Sequence, residues 1–344
     1  MEARSQLRHR PTTDLNYTIG AKTKFVGVLS YIREARLQRL ASYNKTMPKP
    51  HRQVPVALAL ILGLASSSCL YTKRVIFRHG KKVTATTAPM LRTATRDELS
   101  ARIASFYNAI NSFQATVDLT PSIGSVYTGA ITEIKDVRAH VLFRKPASIR
   151  IIGQYPVVRT TAFDMVSDGT DFKVFLPSKS LFEVGSNSAP RSSKNKLENL
   201  RPEDFLSSML IQPPDPQTET ASRLDFVDED NALYILFILK KAPNGDPIFV
   251  RGVWFDRIDL NIVRQVVYDE SGTQVSDTRY SKWQQYNGVM FPAHIDINRP
   301  KDEYGVVLDV IDLQMNINFP DDPDTKFVLN QPEGSQLRVI GASK

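Results

Sequence analysis

The feature that most constrains the fold of this chain is a hydrophobic period of two that begins near Gln114. Downstream of that residue, runs rich in Val, Ile, Phe and Tyr are separated by short turn sequences. Alternating runs between such turns are typical of antiparallel hairpins. The turns are Ser167-Asp168-Gly169, Pro243-Asn244-Gly245, Ser271-Gly272 and Asn287-Gly288.

Nine of these runs are predicted strands, at 140–145, 148–154, 172–176, 232–241, 249–256, 262–269, 278–285, 293–298 and 306–318. A sheet with so many strands tends to curl or to close on itself. All-β barrels of this length form single domains, so one domain is predicted over 95–330. The remaining residues, 331–344, are expected to be a C-terminal tail.

Two amphipathic helices are predicted beside this sheet. The first covers 95–113: Thr95 and Glu98 form a capping box, and large apolar residues recur at spacings of three and four. These residues are Leu99, Ile103, Phe106, Ile110 and Phe113. The second covers 200–211, follows a polar loop at 186–198 and begins at Pro202. Its apolar face carries Phe205, Leu206, Met209 and Leu210, and its polar side is expected to face outward.

The segment 47–68 has the form of a bacterial lipoprotein signal peptide. Lys49 and Arg52 precede an apolar stretch, and small residues follow it directly before Cys69, the single cysteine of the chain. This order predicts cleavage before Cys69 and lipidation of its thiol. Ser66 occupies a position that is usually Leu in such signals, and the alternative is a plain secretory signal or a buried free thiol.

The charge of the chain is concentrated upstream of Cys69. Residues 1–46 carry nine Lys and Arg against three acids, whereas 69–344 carries 33 basic and 33 acidic residues. The mature domain would be neutral, so its charge does not support nucleic-acid binding. Residues 1–46 are interpreted as a misassigned start or a disordered basic extension, and 69–94 as a tether or a solvated linker.

The motifs do not favour an enzyme. The three histidines of the mature part, His79, His140 and His294, lie far apart and have no metal-ligand spacing. A Ser-x-x-Lys match at Ser193–Lys196 lies in the polar loop, without the helix that such a nucleophile requires. We therefore expect no catalytic residue, no metal and no cofactor.

The residues 143–185 resemble the LolA/LolB-type lipoprotein carrier superfamily. A basic-Pro corner, a strand, a Ser-Asp-Gly turn, an aromatic strand and a Pro-containing bend follow one another there. The motifs at 253–256, 268–272, 286–292 and 316–329 agree, so the resemblance covers nearly all of 95–330.

The resemblance implies a mainly β fold: an unclosed, strongly curved antiparallel sheet with helices as a lid on its concave side. It also implies an apolar cavity for acyl chains between sheet and helices. The ligand-binding candidates are Phe106, Ile110, Phe143, Phe175, Phe205, Met209, Trp254, Tyr268 and Trp283. In the soluble carriers an Arg before the corner Pro binds the lid helices; here Lys145 takes that place, and Arg144 precedes it.

These features predict an envelope lipoprotein that acts in lipoprotein or lipid transport. We expect it to be anchored through Cys69 in the outer membrane, facing the periplasm. Its expected partners are acyl chains of lipoproteins or lipids, and envelope proteins. The alternative is a structural or interaction lipoprotein with a filled core, because hollow and filled sheets share the same alternation.

Overall fold

The computed structural model describes residues 90–125, 129–191, 193–319 and 323–341. The predicted signal peptide, Cys69 and most of the tether lie outside these residues. The predictions for those segments therefore stay predictions.

The described chain forms one sheet of fifteen strands. The strands are β1 (Ser112–Ser125), β2 (Ala130–Glu133), β3 (Val137–Arg144), β4 (Ser148–Gln154), β5 (Thr161–Ser167), β6 (Asp171–Leu176), β7 (Leu181–Ser186), β8 (Glu219–Val227), β9 (Ala232–Lys241), β10 (Pro247–Asp256), β11 (Ile262–Tyr268), β12 (Gln274–Tyr286), β13 (Val289–Arg299), β14 (Tyr304–Met315) and β15 (Gln336–Ile340). Their order across the sheet is β15-β7-β6-β5-β4-β3-β1-β14-β13-β12-β11-β10-β9-β8, and β2 pairs with β1 alone. The sheet is curved and unclosed, as predicted.

The two halves of the chain meet where β1 pairs with β14, with Phe113 opposite Met315 and Leu119 opposite Leu308. All neighbouring strands run antiparallel except β15 and β7, which are parallel, with Arg338 opposite Glu183. The sheet is thus mixed rather than purely antiparallel. The segment expected to be a tail contributes this last strand.

The predicted turns reverse the chain where left-handed backbone is needed. Gly169, Gly245 and Gly272 have φ values of 100°, 91° and 78°. Asn287 and Gly288 both have positive φ, which suits a two-residue hairpin turn. The nine predicted runs fall on observed strands, and two of them, 148–154 and 232–241, match the bounds of β4 and β9.

Helix α1 (Arg96–Ala109) begins at the predicted capping box. The Oγ1 of Thr95 accepts a hydrogen bond from the backbone N–H of Glu98 at 3.2 Å, and the backbone N–H of Thr95 donates to Oε2 of Glu98 at 2.7 Å. The predicted end at 113 is wrong. Ile110 already has extended backbone, and Phe113 lies in β1.

The physical reason for the early end of α1 is the side chain of Asn316. Its Nδ2 donates to the carbonyl oxygen of Ala109 at 2.8 Å, and its Oδ1 accepts from the N–H of Asn111 at 2.8 Å. These bonds occupy backbone groups that another helical turn would use. Asn316 itself has a φ of 54° and ends β14.

Helix α2 (Pro202–Met209) starts at Pro202 as predicted and is two turns long, shorter than the predicted 200–211. Its polar residues face outward only in part, because Ser207 is exposed and Glu203 is half-buried, which corrects the sequence prediction for the rest of this side. Asp204 and Ser208 are both buried, because the loop before the helix and strands β12 to β14 cover them. A third, one-turn helix, α3 (Pro323–Lys326), follows β14.

Helices α1 and α2 pack on one face of the sheet, called here the inner face. It is the face that carries Val117, Val141, Ile151 and Met165, all in one buried cluster with the apolar residues of α1 and α2. Helix α1 packs against β8, β9 and β13, whereas α2 packs against β4, β5 and β13. A second cluster, formed by Val166, Phe182 and Leu329, lies apart from the first.

Candidate functional site

The main candidate site is an apolar cavity of about 450 Å³, called here the β5–β6 pocket. Its floor is formed by side chains of the inner face, and the short helical segments at 177–179 and 196–199 form part of its walls. Its volume lies in the range of small-molecule sites. Its apolar lining consists of Pro121, Ile134, Val137, Ala162, Phe163, Met165, Val174, Leu176, Leu197 and Leu200.

The size of the floor depends on one glycine. A Cβ on Gly153 would lie 2.4 Å from the Phe163 ring, so only glycine lets this ring lie flat against β4. The Phe163 ring in turn lines the pocket. The absence of a side chain at Gly153 thus helps to set the shape of the cavity.

Four charged side chains hold one side of this pocket together. Glu183 of β7 is buried and pairs with Arg338 of β15. Arg338 also binds Glu198 through its Nη2 at 2.9 Å, and Glu198 pairs with Lys179. Strand β15 is therefore joined by an ion pair to the segment 196–199. Glu198 of that segment in turn pairs with Lys179 of the segment 177–179.

The loop from 187 to 201 is fixed by a second, deeper network centred on Asp204. Arg191 binds both carboxylate oxygens of Asp204, and Arg299 of β13 approaches the same carboxylate at 3.0 Å. The hydroxyl of Tyr304 donates to Asp204 at 2.6 Å. Asp302 completes the network by pairing with Arg299 at 2.8 Å and with Arg191 at 3.4 Å.

The network shifts the titration of its members. Burial alone would raise the pKa of Asp204, but the guanidiniums of Arg299 and Arg191 outweigh it and hold the pKa below its usual value. For Tyr304, burial and the Asp204 charge raise the pKa well above its usual value. The carboxylate is therefore kept ionised and the phenol protonated, which preserves the hydrogen bond between them.

Glu203, next to Asp204 in α2, has the opposite environment. Burial, with a smaller contribution from the Asp204 charge, raises the pKa of Glu203 to about 7. Its Oε2 is buried and has no hydrogen-bond partner among the described residues. Helix α2 thus begins with two carboxyl groups that behave in opposite ways. The arginines stabilise the charged form of Asp204, whereas burial destabilises the charged form of Glu203.

A second cavity, of about 310 Å³, lies beside α1. Phe106, Phe255, Ile262 and Trp283 are among its apolar walls. Arg102 lines it too and donates to the carbonyl oxygens of Leu260 and Asp259 at 3.2 and 3.1 Å. This cavity has a smaller volume than the β5–β6 pocket.

None of the nine predicted ligand-binding residues lines the β5–β6 pocket. Phe106 and Trp283 line the second cavity, with ring centroids 5.7 Å apart. Four of the nine belong to the packed core: Ile110, Phe143, Phe205 and Met209. The other three are half-buried: Phe175 packs on the second cluster, Trp254 lies under the guanidinium of Arg264, and the Tyr268 ring packs at a tilt against Phe249.

Of the two lid-contact candidates, Lys145 contacts a helix. Its Nζ donates to the carbonyl oxygen of Tyr107 in α1 at 2.7 Å and lies 4.1 Å from the centroid of the Tyr107 ring. Partial burial lowers the pKa of the Lys145 amine. Arg144 instead lies over the ring of Phe327, outside both helices.

The pocket residues were missed because their signal in the sequence is weak. Ile134 lies in an irregular segment and Leu197 in a single helical turn, so no hydrophobic period marks either residue. Met165 and Val174 alternate like ordinary core residues of β5 and β6. The polar loop at 186–198 was visible in the sequence, but its short helical turn over the pocket was not.

Two further features bear on function. Within the residues that the structure describes, no group of His, Cys, Asp and Glu could hold a metal ion. Over the same ranges, no helix combines the length and hydropathy that a membrane crossing requires.

Comparison with known proteins finds similarity in structure only. No family profile matches the sequence. No curated protein matches it either. Among solved structures, the LolA superfamily protein NE2245 from Nitrosomonas europaea is similar over 69% of this chain and 99% of its own, with 17% identity and a TM-score of 0.46.

Two other solved structures are similar to about the same degree. An outer membrane lipoprotein-sorting protein domain from Vibrio parahaemolyticus is 12% identical and covers 67% of this chain and 98% of its own, with a TM-score of 0.46. A DUF1329 family protein from Desulfovibrio piger is 17% identical over 66% of this chain and 93% of its own, with a TM-score of 0.45.

Proposed function

We propose that this chain is an envelope lipoprotein that carries an acyl chain in the β5–β6 pocket, in lipoprotein or lipid transport at the outer membrane. The observation that carries the proposal is the pocket itself: an apolar hollow of about 450 Å³ on the helix-bearing face of the sheet. An acyl chain gains about 0.8 kcal/mol for each buried methylene, so such a hollow needs few polar contacts to bind it.

The surroundings of the pocket mouth support delivery at a membrane. Ile134 and Tyr155 line the pocket, and both are more than one third exposed. The segments that carry them also expose Ile131, Val157 and Val158, with Val157 93% exposed. Apolar side chains in this arrangement favour contact with a lipid surface.

The experiment measures displacement of a neutral naphthylamine fluorophore from the full-length chain carrying Cys69→Ala. Native mass spectrometry of the same protein identifies any lipid that co-purifies. We expect the fluorophore to bind and a long-chain alcohol to displace it. A chain that neither binds the fluorophore nor retains lipid would support the alternative, a structural lipoprotein without a ligand.

A pair of matched variants locates the site. Ala162 lines the pocket, so Ala162→Trp should fill it and weaken fluorophore binding by about tenfold or more. Ala101→Trp adds the same side chain on the exposed side of α1 and should leave binding unchanged. Equal binding by the two variants would place the ligand elsewhere, with the second cavity at Phe106 and Trp283 as the next site to test.

A further inference from the structure

Around the β5–β6 pocket, several hydrogen-bond donors lack a partner in the part of the chain that the structure describes, whereas the carboxylates have one. Three of its hydrogen-bond donors have no side-chain partner among the described residues: the amine of Lys135 and the hydroxyls of Tyr155 and Ser178. Lys179 has further N–H groups beyond the one it gives to Glu198. The lining thus offers donors that no protein acceptor uses.

The carboxylates of the lining are, by contrast, already occupied. The carboxylate of Glu183 binds Arg338. The carboxylate of Glu198 accepts from Lys179, from Arg338, from the hydroxyl of Ser193 at 2.8 Å and from Asn195 at 3.3 Å. Both carboxylates in the lining are therefore neutralised within the protein, and neither needs a cationic ligand.

The positive charge of Lys135, at the mouth of the pocket, is not paired with a carboxylate of the described residues. Lys135 is exposed and forms no ion pair with any described residue. Its neighbours Glu133 and Asp136 do not line the pocket, and Asp136 accepts the hydroxyl of Thr120 at 2.7 Å. Tyr155 also lines an adjacent polar groove with Arg159, a second exposed cation without an ion-pair partner in the described ranges.

From this asymmetry we propose that the ligand is an amphiphile with an anionic head, a carboxylate or a phosphate, whose chain fills the β5–β6 pocket while its head lies at Lys135 and Tyr155. A head of this kind supplies the acceptors that the free donors lack. A cationic head would meet Lys135 with a like charge. This inference rests on the proposed function and specifies the class of molecule that the pocket takes.

The test compares ligands that share one chain and differ only in the head. Dodecanoate, dodecyl phosphate, dodecanol and dodecyltrimethylammonium each compete with the neutral fluorophore, below their micelle concentrations and at low salt. We expect the two anions to bind about fivefold more tightly than the alcohol, and the cation more weakly than the alcohol. Added salt should narrow the difference, because exposed charges are screened.

Variants connect this preference to the mouth. Lys135→Met keeps an apolar stem but loses the charge, and it should weaken both anions about threefold while leaving dodecanol unchanged. Lys135→Arg should retain the preference. Lys173→Met is the matched control, since Lys173 is an exposed lysine of β6 that does not line the pocket. Tyr155→Phe should reduce the preference by a smaller factor.

The outcomes separate this inference from the proposed function. If dodecanol binds as tightly as the anions, or the cation binds best, the anionic-head inference is wrong while the pocket still binds chains. If inorganic phosphate alone displaces dodecyl phosphate, the anion site is independent of the chain and the inference is again wrong. If no amphiphile displaces the fluorophore, the proposed function itself fails.

Discussion

Arg191 binds both carboxylate oxygens of Asp204, with Nη2 2.7 Å from Oδ1 and Nη1 2.8 Å from Oδ2. Asp204 is buried inside the fold, and Arg299 and Tyr304 contact the same carboxylate. This pair fixes the polar loop to the start of α2.

Replacing Asp204 by Asn should lower the free energy of unfolding by about 3–5 kcal/mol, because two buried guanidiniums would lose their counter-charge. Urea denaturation measures the change. The matched control is Asp118→Asn in β1, whose ion pair with Arg138 is exposed and should contribute no more than about 1 kcal/mol. Equal losses of unfolding free energy in the two variants would contradict a stabilising role of the buried Asp204 network.

The stability of the wild type should fall as the pH rises through neutrality because of Glu203. Its pKa is raised from the model-peptide value near 4.5 to about 7, so the folded state holds this proton more tightly than the unfolded state does. The stability that protonated Glu203 provides is therefore present at low pH and is lost between about 4.5 and about 7.

Glu203→Gln should remove this dependence. Relative to the wild type, the variant should gain about 2 kcal/mol of stability between about pH 5 and about pH 8, a figure reduced for the partial exposure of Glu203. Urea midpoints at both pH values measure it. Parallel pH profiles for the two proteins would show that the Glu203 proton does not contribute.

Asn316→Ala should destabilise the fold by about 1–3 kcal/mol. It removes the two hydrogen bonds that end α1 and places alanine at a positive φ. Asn316→Gly separates the two causes, because glycine tolerates the backbone conformation and loses only the hydrogen bonds. The glycine variant should therefore lose less stability than the alanine variant. Thermal denaturation measures both, and the reverse order would contradict this explanation.

Cys69→Ala should release the protein from membranes, since acylation of this thiol is the predicted anchor. The measurement is the fraction of protein in the membrane pellet after expression with the signal intact. A mass increment on the N-terminal cysteine of the wild type should accompany pelleting. Unchanged pelleting of the variant would argue against lipidation.

Nine strands and the start of α1 could be predicted from the sequence, whereas β1 and β5 were not among the predicted strands although their residues alternate. The apolar run at 232–241 predicts β9 to the residue, and the pair Thr95–Glu98 predicts the start of α1. Strand β8 escaped prediction because both its faces are largely exposed, so no alternation marks it. Strand β15 is only five residues long, and it pairs with β7.

The site was harder to predict than the fold for a related reason. Phe205 and Met209 have the amphipathic spacing that either a lid over a cavity or a core-packing helix would show, and the structure packs them into the core. Which inner-face positions are left uncovered depends on where the 187–201 loop lies. That loop is placed by Asp204 and Arg299, which are 95 residues apart in the chain. No local pattern in the sequence contains this information.

The attachment of β15 has a consequence for the order in which the pocket can form. Arg338 contacts Glu183 and Glu198, which precede it by 155 and 140 residues in the chain. All residues that line the pocket lie between 121 and 200, so they are synthesised well before this arginine. The ion pairs on this side of the pocket therefore form only after β15 has been made and has paired with β7.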